Sequence, residues 1–227
     1  MDLATLSNVL QQHRQWINSD GKSGKKAILK KVILANINLD EANLYSIDLL
    51  GSDLSGASLQ GVNLQFAHLV KANFKKANLF RSNLNDADLA GVILQGANLR
   101  FCKLNRINLL GANLEKADLQ YTDFAEADST FANYRGANLF AANLMKANFQ
   151  SAFFQQANLT ATNMQYANLK YCTFLRAKLS SANLFKAKLE GADFNGAHLD
   201  NITIDSENLR YLPEPALQKY EKTFIII

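Results

Sequence analysis

Residues 137–149 read ANLFAANLMKANF, in which a small residue, an Asn and a large apolar residue return together every five positions. Stepping by five from Leu34 to Leu199 reaches 34 positions without an insertion, and 25 of them are Leu and six are Phe. We name this position the centre of a repeat. Ala stands two residues before the centre in 22 repeats, and Asn or Asp stands directly before it in 24. This regularity indicates a repeat architecture.

A period of five fits neither the α-helix, with 3.6 residues per turn, nor the β-strand, with two. A helix would spread residues five apart around its axis and would bury no single face. A chain that bends after every five residues resolves the conflict, because the centre and the small residue two before it then point inward together. The other three residues point outward, and we expect Asn and Asp at the corners, where short polar side chains bond nearby backbone. Each coil would cover the apolar edge of the next one.

The repeat A-(D/N)-L-X-X resembles the pentapeptide-repeat family, and the resemblance covers about 175 residues. It implies an all-β fold, a right-handed quadrilateral parallel β-helix in which four repeats form one coil. At that size the solenoid has eight to nine coils, and a spacing of about 4.8 Å between paired strands gives a rod about 40 Å long. The segment from His13 to Leu29 also resembles the leader found before bacterial pentapeptide repeats, particularly cyanobacterial ones.

Both ends of such a rod would expose apolar side chains and unpaired backbone, so each end needs a cover. We expect short α-helical caps at both ends. The first part of the chain predicts a helix over residues 2–18 from apolar residues at helical spacing: Leu3, Leu6, Leu10 and Ile17. Near the other end, residues 216–222 predict a short helix whose Leu217 and Tyr220 would cover the last coil.

The limits of the repeat define three parts of the chain. We expect a helical cap with its leader in residues 1–26, the β-helix in residues 27–204 and a C-terminal cap with a short helix in residues 205–227. The chain does not open with a basic region followed by an apolar run, and no apolar stretch approaches the roughly 20 residues of a membrane span. With two cysteines outside any pairing motif, the sequence predicts a soluble cytoplasmic protein without a membrane partner.

Few residues could support catalysis or bind a metal. His13 precedes the repeats, while His68 and His198 lie on opposite faces and more than six coils apart. Cys102 and Cys172 both replace the inward Ala and lie about 17 Å apart by coil spacing, whereas a disulfide needs Cα atoms within about 7 Å. Acidic residues are scattered and glycines occur singly, which gives neither a carboxylate pair nor a phosphate loop. We therefore expect no catalytic, cofactor-binding or metal-binding residues, no cofactor and no enzymatic activity.

One surface has the composition of a binding site. Residues 20 apart stack on one face, so the face with Leu99 as a centre collects aromatic and arginine side chains over four coils. The candidate partner-binding residues are Phe80, Arg81, Arg100, Phe101, Tyr121 and Phe140. Aromatic residues and Arg are enriched at binding hot spots. The alternative is that Arg stacks on exposed rings and only shields them.

A second surface predicts self-association. An outward aliphatic column lies beside glycines there, and its candidate residues are Leu50, Val70 and Leu110. A partner could approach such a low strip closely, so we expect either a monomer or a homodimer. The alternative is a few scattered apolar residues, which protein surfaces normally tolerate.

The sequence supports a non-enzymatic scaffold that presents a surface to an unidentified protein partner, with a regulatory role as the leading hypothesis. A second hypothesis is a DNA mimic acting on DNA gyrase, as in some pentapeptide-repeat proteins. That role depends on an acidic surface and is typical of members with loops between coils, whereas this chain has a net charge of +4 and no such loop. The third hypothesis is direct nucleic-acid binding through Lys and Arg. It has only the sequence pI of about 9.0 in its favour and is weaker than the scaffold hypothesis.

Ser129 is the only small polar residue among the centres, and it predicts a local defect. A Ser side chain leaves a space beside Leu109 and Phe149, its neighbours in the stack. We expect the ring of Phe149 to lean into this space, with a bulge that turns Phe131 inward as the alternative. The prediction that follows is that Ser129→Leu fills a cavity and stabilises the protein.

Overall fold

Four five-residue repeats complete one turn of the chain. In the computed structural model, which describes the backbone of residues 1–227 and every side chain except that of Glu221, β-bridges join residues 20 apart. They run in parallel register from Ile28↔Asp48 to Asn183↔Thr203, with one bridge per repeat. The regular part of the molecule is therefore a solenoid of single-bridge segments.

We number the four faces of the rod by their centres. Face 1 contains Leu99, face 2 Leu104, face 3 Leu109 and face 4 Leu114, and the other centres of each face lie at multiples of 20 residues from these. The two residues after each centre form the edge that leads to the next face, so the residues after Leu99 lie on the edge between faces 1 and 2.

The interior of the rod is filled by the two positions that the sequence predicts. Leu54 and Ala57, for example, are both fully buried, and along the repeats buried residues alternate with half-buried and exposed ones. A large centre and a small residue two before it thus share each layer of the interior. This part of the prediction is confirmed, because the three remaining residues of each repeat face outward.

Asn and Asp occupy a different place from the predicted corner. The residue before each centre forms the β-bridge in the middle of a face, and its side chain reaches in two directions. Asn98 Oδ1 accepts a hydrogen bond from the N–H of Arg100 at 3.2 Å, and Asn98 Nδ2 donates to Asn78 Oδ1 of the preceding coil at 2.9 Å. The expected hydrogen bond to nearby backbone therefore exists, but the side chain makes it from the bridge position that precedes the turn. The prediction that Asn and Asp lie at the corners was wrong.

The corners are formed by the two residues after the centre. The second of them has a left-handed backbone in all 34 repeats, with φ between 53° and 68°. At Gly111 the N–H donates to the carbonyl of Thr130 in the next coil, and the N–H of Ala112 closes the turn on Leu109, both at 2.9 Å. A turn of this kind requires positive φ at its third residue, which Gly adopts without steric cost. Most repeats have other residues here, so the surrounding bonds determine this conformation.

The first helix, α1 (Leu3–Asn18), lies against the first coil. Its N-cap is Asp2, whose carboxylate accepts the N–H of Thr5 at 2.7 Å. Leu6 and His13 are buried, Leu10 packs against the core, and Leu3 is 75% exposed. The predicted bounds agree with α1 to within one residue.

The C-terminal part departs from the repeat after β1 (Thr203–Ile204). A 3-10 helix (Ser206–Tyr211), α2 (Glu214–Tyr220) and a second 3-10 helix (Glu221–Thr223) lead to β2 (Ile225–Ile226), which pairs in parallel with β1. Tyr220 is buried and Leu217 packs against the core, and α2 begins and ends two residues before the predicted bounds of 216 and 222. The sequence analysis did not predict β2, which adds one more bridged segment to face 2.

The space beside Ser129 is filled by Tyr134, the centre of the next face in the same coil. The Tyr134 hydroxyl lies 2.8 Å from Ser129 Oγ, and both residues are fully buried. Phe149 packs edge-on against Tyr134 with ring centroids 5.7 Å apart, and Phe131 is 57% exposed. Phe131 therefore does not turn inward, and it is the phenol of Tyr134, long enough to cross the interior, that bonds the serine.

Four aromatic centres form a column inside face 4, which we name the interior stack: Tyr134, Phe154, Phe174 and Phe194. Their rings are nearly parallel and their centroids lie 5.0, 5.1 and 4.8 Å apart in that order. All four are fully buried or nearly so. The C-terminal half of face 4 is thus lined by stacked rings, whereas Leu is the commoner centre in its N-terminal half.

Candidate functional site

The predicted aromatic residues form one continuous row on the edge between faces 1 and 2. We name Phe80, Phe101, Tyr121 and Phe140 the aromatic patch. Successive ring centroids lie 5.8, 5.0 and 5.6 Å apart. The central pair, Phe101 and Tyr121, is stacked, and the outer rings meet it edge-on. The fold creates this row because the four residues occupy the two corner positions of four successive coils.

Two arginines complete the predicted set. The guanidinium of Arg81 lies 5.0 Å from the ring centre of Phe80, and that of Arg100 lies 5.7 Å from the ring centre of Phe101. Arg100 Nε is 4.0 Å from Asp118 Oδ2, too far for a hydrogen bond. This nitrogen is covered and has no hydrogen-bond partner among the described residues. The arginines therefore flank the rings and leave charge at the surface.

The patch is open to solvent. Phe101 is 41% exposed and Tyr121 46% exposed, while Phe80 and Phe140 are half-buried. Beside it on face 1 lie polar bridge residues such as Asn98, and side chains of this kind cover much of the rod. Contiguous exposed apolar surface rimmed by polar residues is typical of interaction sites.

The predicted self-association residues lie on the edge between faces 3 and 4, away from the aromatic patch. Leu110 is 45% exposed, while Leu50 and Val70 are half-buried. A Cβ built on Gly111 would have no atom within 4 Å, which means that the surface beside Leu110 is low and open. The apolar surface of this strip is therefore concentrated at Leu110.

His13 holds a position that the sequence analysis did not identify. Its ring is fully buried between α1 and the first coil, and its Nδ1 accepts the N–H of Ala27 at 3.1 Å. Nε2 has no hydrogen-bond partner among the described residues. The ring stacks on Trp16 at 5.7 Å, and burial, together with the charge of Lys26, lowers the pKa of His13. Its role is to join the helix to the rod in the neutral state.

The other residues examined for chemistry do not assemble into a site. His68 Nδ1 lies 3.2 Å from Asp48 Oδ1 and remains part of the surface. Cys102 and Cys172 are buried, as predicted, and burial raises the pKa of each thiol to about 12. Among the described residues no cluster of His, Cys, Asp or Glu could hold a metal ion. Within the same described part of the chain, no helix has the length and apolar character to cross a membrane.

A groove of about 650 Å³ lies between α1 and the first coil. Aliphatic residues, among them Leu6, Leu10 and Ile33, line it together with Ser and Asn, and it has no titratable side chain in its lining. It is remote from the aromatic patch in the sequence and lies at the N-terminal end. It supplies no polar group suited to catalysis.

The chain belongs to the pentapeptide-repeat family. The family profile described as "Pentapeptide repeats (8 copies)" matches residues 57–96, 93–128, 130–160 and 162–201, which together exceed half of the chain. The family fold is the right-handed quadrilateral β-helix, in agreement with the 20-residue spacing of the bridges. No curated protein matches the chain at a significant level.

The chain is also similar to solved structures, two pentapeptide-repeat proteins and a fluoroquinolone resistance protein among them. HetL, involved in heterocyst differentiation regulation in the cyanobacterium Nostoc sp. strain PCC 7120, is 28% identical, with 83% of this chain and 94% of HetL covered and a TM-score of 0.41. The protein alr5209, also from Nostoc, is 27% identical over 46% of this chain and 84% of its own, with a TM-score of 0.42. QnrB1, a plasmid-mediated fluoroquinolone resistance protein, is 16% identical over 78% and 90%, with a TM-score of 0.46.

Proposed function

We propose that this protein is a non-enzymatic, regulatory scaffold that binds a protein partner through the aromatic patch. The observation that carries the proposal is the solvent-exposed row of four rings with Phe101 and Tyr121 at its centre. Pentapeptide-repeat proteins are generally non-catalytic, and the patch has the residue types that dominate binding energy at protein interfaces. Desolvating Phe101 and Tyr121 on binding would remove apolar area from water without a change in the rod.

A matched pair of variants tests this proposal. Phe101→Asp places a charge at the centre of the patch. Phe131→Asp makes the same change at an exposed ring on the edge between faces 3 and 4, at the same corner position and with the same φ of 59°. Proteins retained by each variant from lysate of the native cell are compared with those retained by the unmodified chain. We expect Phe101→Asp to lose a specific partner that Phe131→Asp retains. Equal retention by both variants would contradict the proposal.

The remaining parts of the chain are proposed to support this scaffold. Residues 27–204 would form eight to nine coils of the rod, and residues 1–26 and 205–227 would close its ends. Support comes from the buried Leu6 of α1 and the buried Tyr220 of α2, which pack against the terminal coils. Removal of residues 1–26 should then lower the solubility of the protein, while the circular dichroism of the rod is retained.

Self-association through Leu50, Val70 and Leu110 is a second proposal, supported by the exposure of Leu110 beside Gly111. Sedimentation of Leu110→Lys against the unmodified chain tests it, since a charge in the strip should shift a dimer toward monomer. We place the scaffold in the cytoplasm because of its two buried free thiols. A DNA mimic remains disfavoured by the net charge of +4.

A further inference from the structure

Face 1 has a different character at each of its two edges over the four coils that carry the aromatic patch. One edge, shared with face 2, holds the four rings. The other edge, shared with face 4, is rich in basic side chains. Its residues lie about five positions before the rings in the sequence. We name these residues the basic edge: Lys75, Lys76, Lys116 and Arg135. All four are exposed.

Basic residues outnumber acidic ones in this region. Face 1 and its two edges over these coils comprise residues 75–81, 95–101, 115–121 and 135–141, which contain six Lys or Arg and two acidic residues. Their net charge is +4, equal to that of the complete chain. The rest of the sequence has 18 basic and 18 acidic residues and is neutral. A surface with one excess sign attracts and orients partners of the opposite sign.

Most of these cations are not neutralised within the chain. The two acidic residues are Glu115, 3.9 Å from Lys116, and Asp118, 4.0 Å from Arg100. Among the described residues, no carboxylate lies within 4.0 Å of the amino groups of Lys75 and Lys76 or of the guanidinium groups of Arg81 and Arg135. Four cations therefore stay available to a ligand.

The middle of face 1 between the two edges carries polar bridge residues. Its outward side chains are the bridge residues Asn78, Asn98, Asp118 and Asn138, which lie against the backbone of the rod. Hydrogen bonds join Asn78 to Asn98 and Asn138 to Asn158 at 2.9 Å along the face. A chain lying along this ladder could reach the rings on one side and the cations on the other.

From this arrangement we infer that the partner presents an acidic amphipathic segment to face 1, with apolar side chains on the aromatic patch and carboxylates on the basic edge. The inference rests on the proposed function and adds the chemistry of the partner. Carboxylates form charge-assisted hydrogen bonds with Lys and Arg, and apolar side chains desolvate the rings. A segment with only one of these properties would use only one of the two edges.

A single-stranded nucleic acid would also combine negative charge with flat apolar rings, but the patch does not suit it. Bases bind by stacking on exposed ring faces. Phe101 and Tyr121 stack on each other at 5.0 Å with an angle of 5° between their planes, so no base fits between them. Phe80 and Phe140 block the ends of this pair edge-on. The rings thus form a closed row that a side chain can lie against.

The test uses two synthetic probe peptides of the same length, both with Leu and Phe along one side. The other side carries Glu in the first peptide and Lys in the second. Their binding to the full chain is measured by fluorescence anisotropy at low and high salt. We expect the Glu peptide to bind at least about tenfold more tightly than the Lys peptide, with weaker binding at high salt. Equal affinities, or no binding of the Glu peptide, would overturn the inference, as would tighter binding of an oligo-dT probe.

Charge variants then locate the bound peptide. Lys75→Glu with Lys76→Glu should weaken binding of the Glu peptide about tenfold. The control, Lys71→Glu with Lys146→Glu, makes the same change in net charge at exposed lysines on other edges and should have less than about a threefold effect. Equal losses in both would show that net charge alone attracts the peptide and would overturn the inference. If Phe101→Asp loses a cellular partner that the Lys75 and Lys76 variant retains, the proposed function stands and the acidic partner is wrong.

Discussion

The aromatic patch and the interior stack are two rows of four rings that follow the repeat of the coils, one outside the rod and one inside. Adjacent stacked rings lie 5.0 Å apart in the patch at Phe101 and Tyr121, and 4.8 to 5.1 Å apart in the stack. The distance between bridged coils sets both values, since paired segments lie about 4.8 Å apart. Ring stacking on such a rod is therefore a consequence of the fold and is not by itself a sign of function.

Exposure and charge distinguish the two rows. The interior stack is buried and has no charged neighbour among the centres, whereas Phe101 and Tyr121 are more than 40% exposed and Arg81 and Arg100 flank the patch. Rings in the interior contribute their burial to the stability of the rod. Rings on the edge keep part of their apolar surface in water and contribute less to this stability.

The largest difference should appear in stability. Phe174 is fully buried and stacks on rings both above and below it. Phe174→Ala should destabilise the protein by about 3–5 kcal/mol, because it removes a large apolar side chain and leaves a cavity. Tyr121→Ala, in the exterior row, should cost less than about 1 kcal/mol. Denaturant unfolding of both variants measures this. Similar losses of unfolding free energy in the two variants would mean that the aromatic patch stabilises the rod as the interior stack does, and would contradict this difference.

A smaller effect is expected at the beginning of the interior stack. Ser129→Leu should destabilise the protein by about 1–3 kcal/mol, because the new side chain overlaps the phenol of Tyr134 and leaves its hydroxyl buried without a partner. This reverses the stabilisation predicted from the sequence. The melting temperature and the free energy of unfolding measure the effect.

A double variant sharpens this test. Ser129→Leu combined with Tyr134→Leu restores the leucine found at most centres and should recover much of the loss, so the two changes should be non-additive. If Ser129→Leu alone raised the melting temperature, the hydrogen bond between Ser129 and Tyr134 would not form in the folded protein.

Another pair of stacked rings, His13 and Trp16, should respond to pH. Burial and then the charge of Lys26 lower the pKa of His13 below its usual value of 6.5. The unfolded chain then binds more protons than the folded one as the pH falls below about 6.5. Stability that is present above this pH should therefore be lost as the pH falls toward the lower pKa of the folded state. Melting temperatures between pH 7 and pH 5 measure this loss.

Variants assign the pH response to one residue. His13→Gln should remove the dependence in this range, while His198→Gln, a change at an exposed histidine, should retain it. An unchanged response in His13→Gln would show that the joint between α1 and the first coil does not control it.

The smallest expected difference is between the two cysteines, one next to each row. Cys102 follows Phe101 of the patch, and Cys172 lies two residues before Phe174 of the stack. Both are buried, and burial raises the pKa of both thiols to about 12. Both should therefore react slowly with a thiol reagent in the native state and rapidly after unfolding. Faster native labelling of Cys102 alone would indicate local opening behind the patch.

The sequence was sufficient to predict the rod and the grouping of the patch. Both depend only on a period of five and on stacking at 20 residues, so Phe101 and Tyr121 could be placed beside each other without coordinates. The position of Asn98 could not be predicted in this way. Short polar side chains form similar bonds from a bridge and from a corner, and only the backbone path distinguishes them.

Contacts across the interior and at the ends were also beyond the sequence pattern. The bond between Ser129 and Tyr134 joins two faces, and its formation depends on the reach of one phenol. The burial of His13 depends on how α1 is rotated about its axis, which the hydrophobic spacing alone does not specify. β2 pairs with β1 after an irregular segment, where the repeat no longer specifies a partner.

The 20-residue turn also has a consequence for how a gene of this kind can change. Loss of one repeat, such as residues 102–106, would leave an intact inward pair in every remaining coil. However, it would rotate everything after it by a quarter turn, which would move Tyr121 and Phe140 away from Phe101. Only the loss or gain of four repeats returns the later side chains to their face. Gain or loss of five residues thus changes the length of the rod. A surface site that spans several coils is kept only when the gain or loss is a multiple of twenty residues.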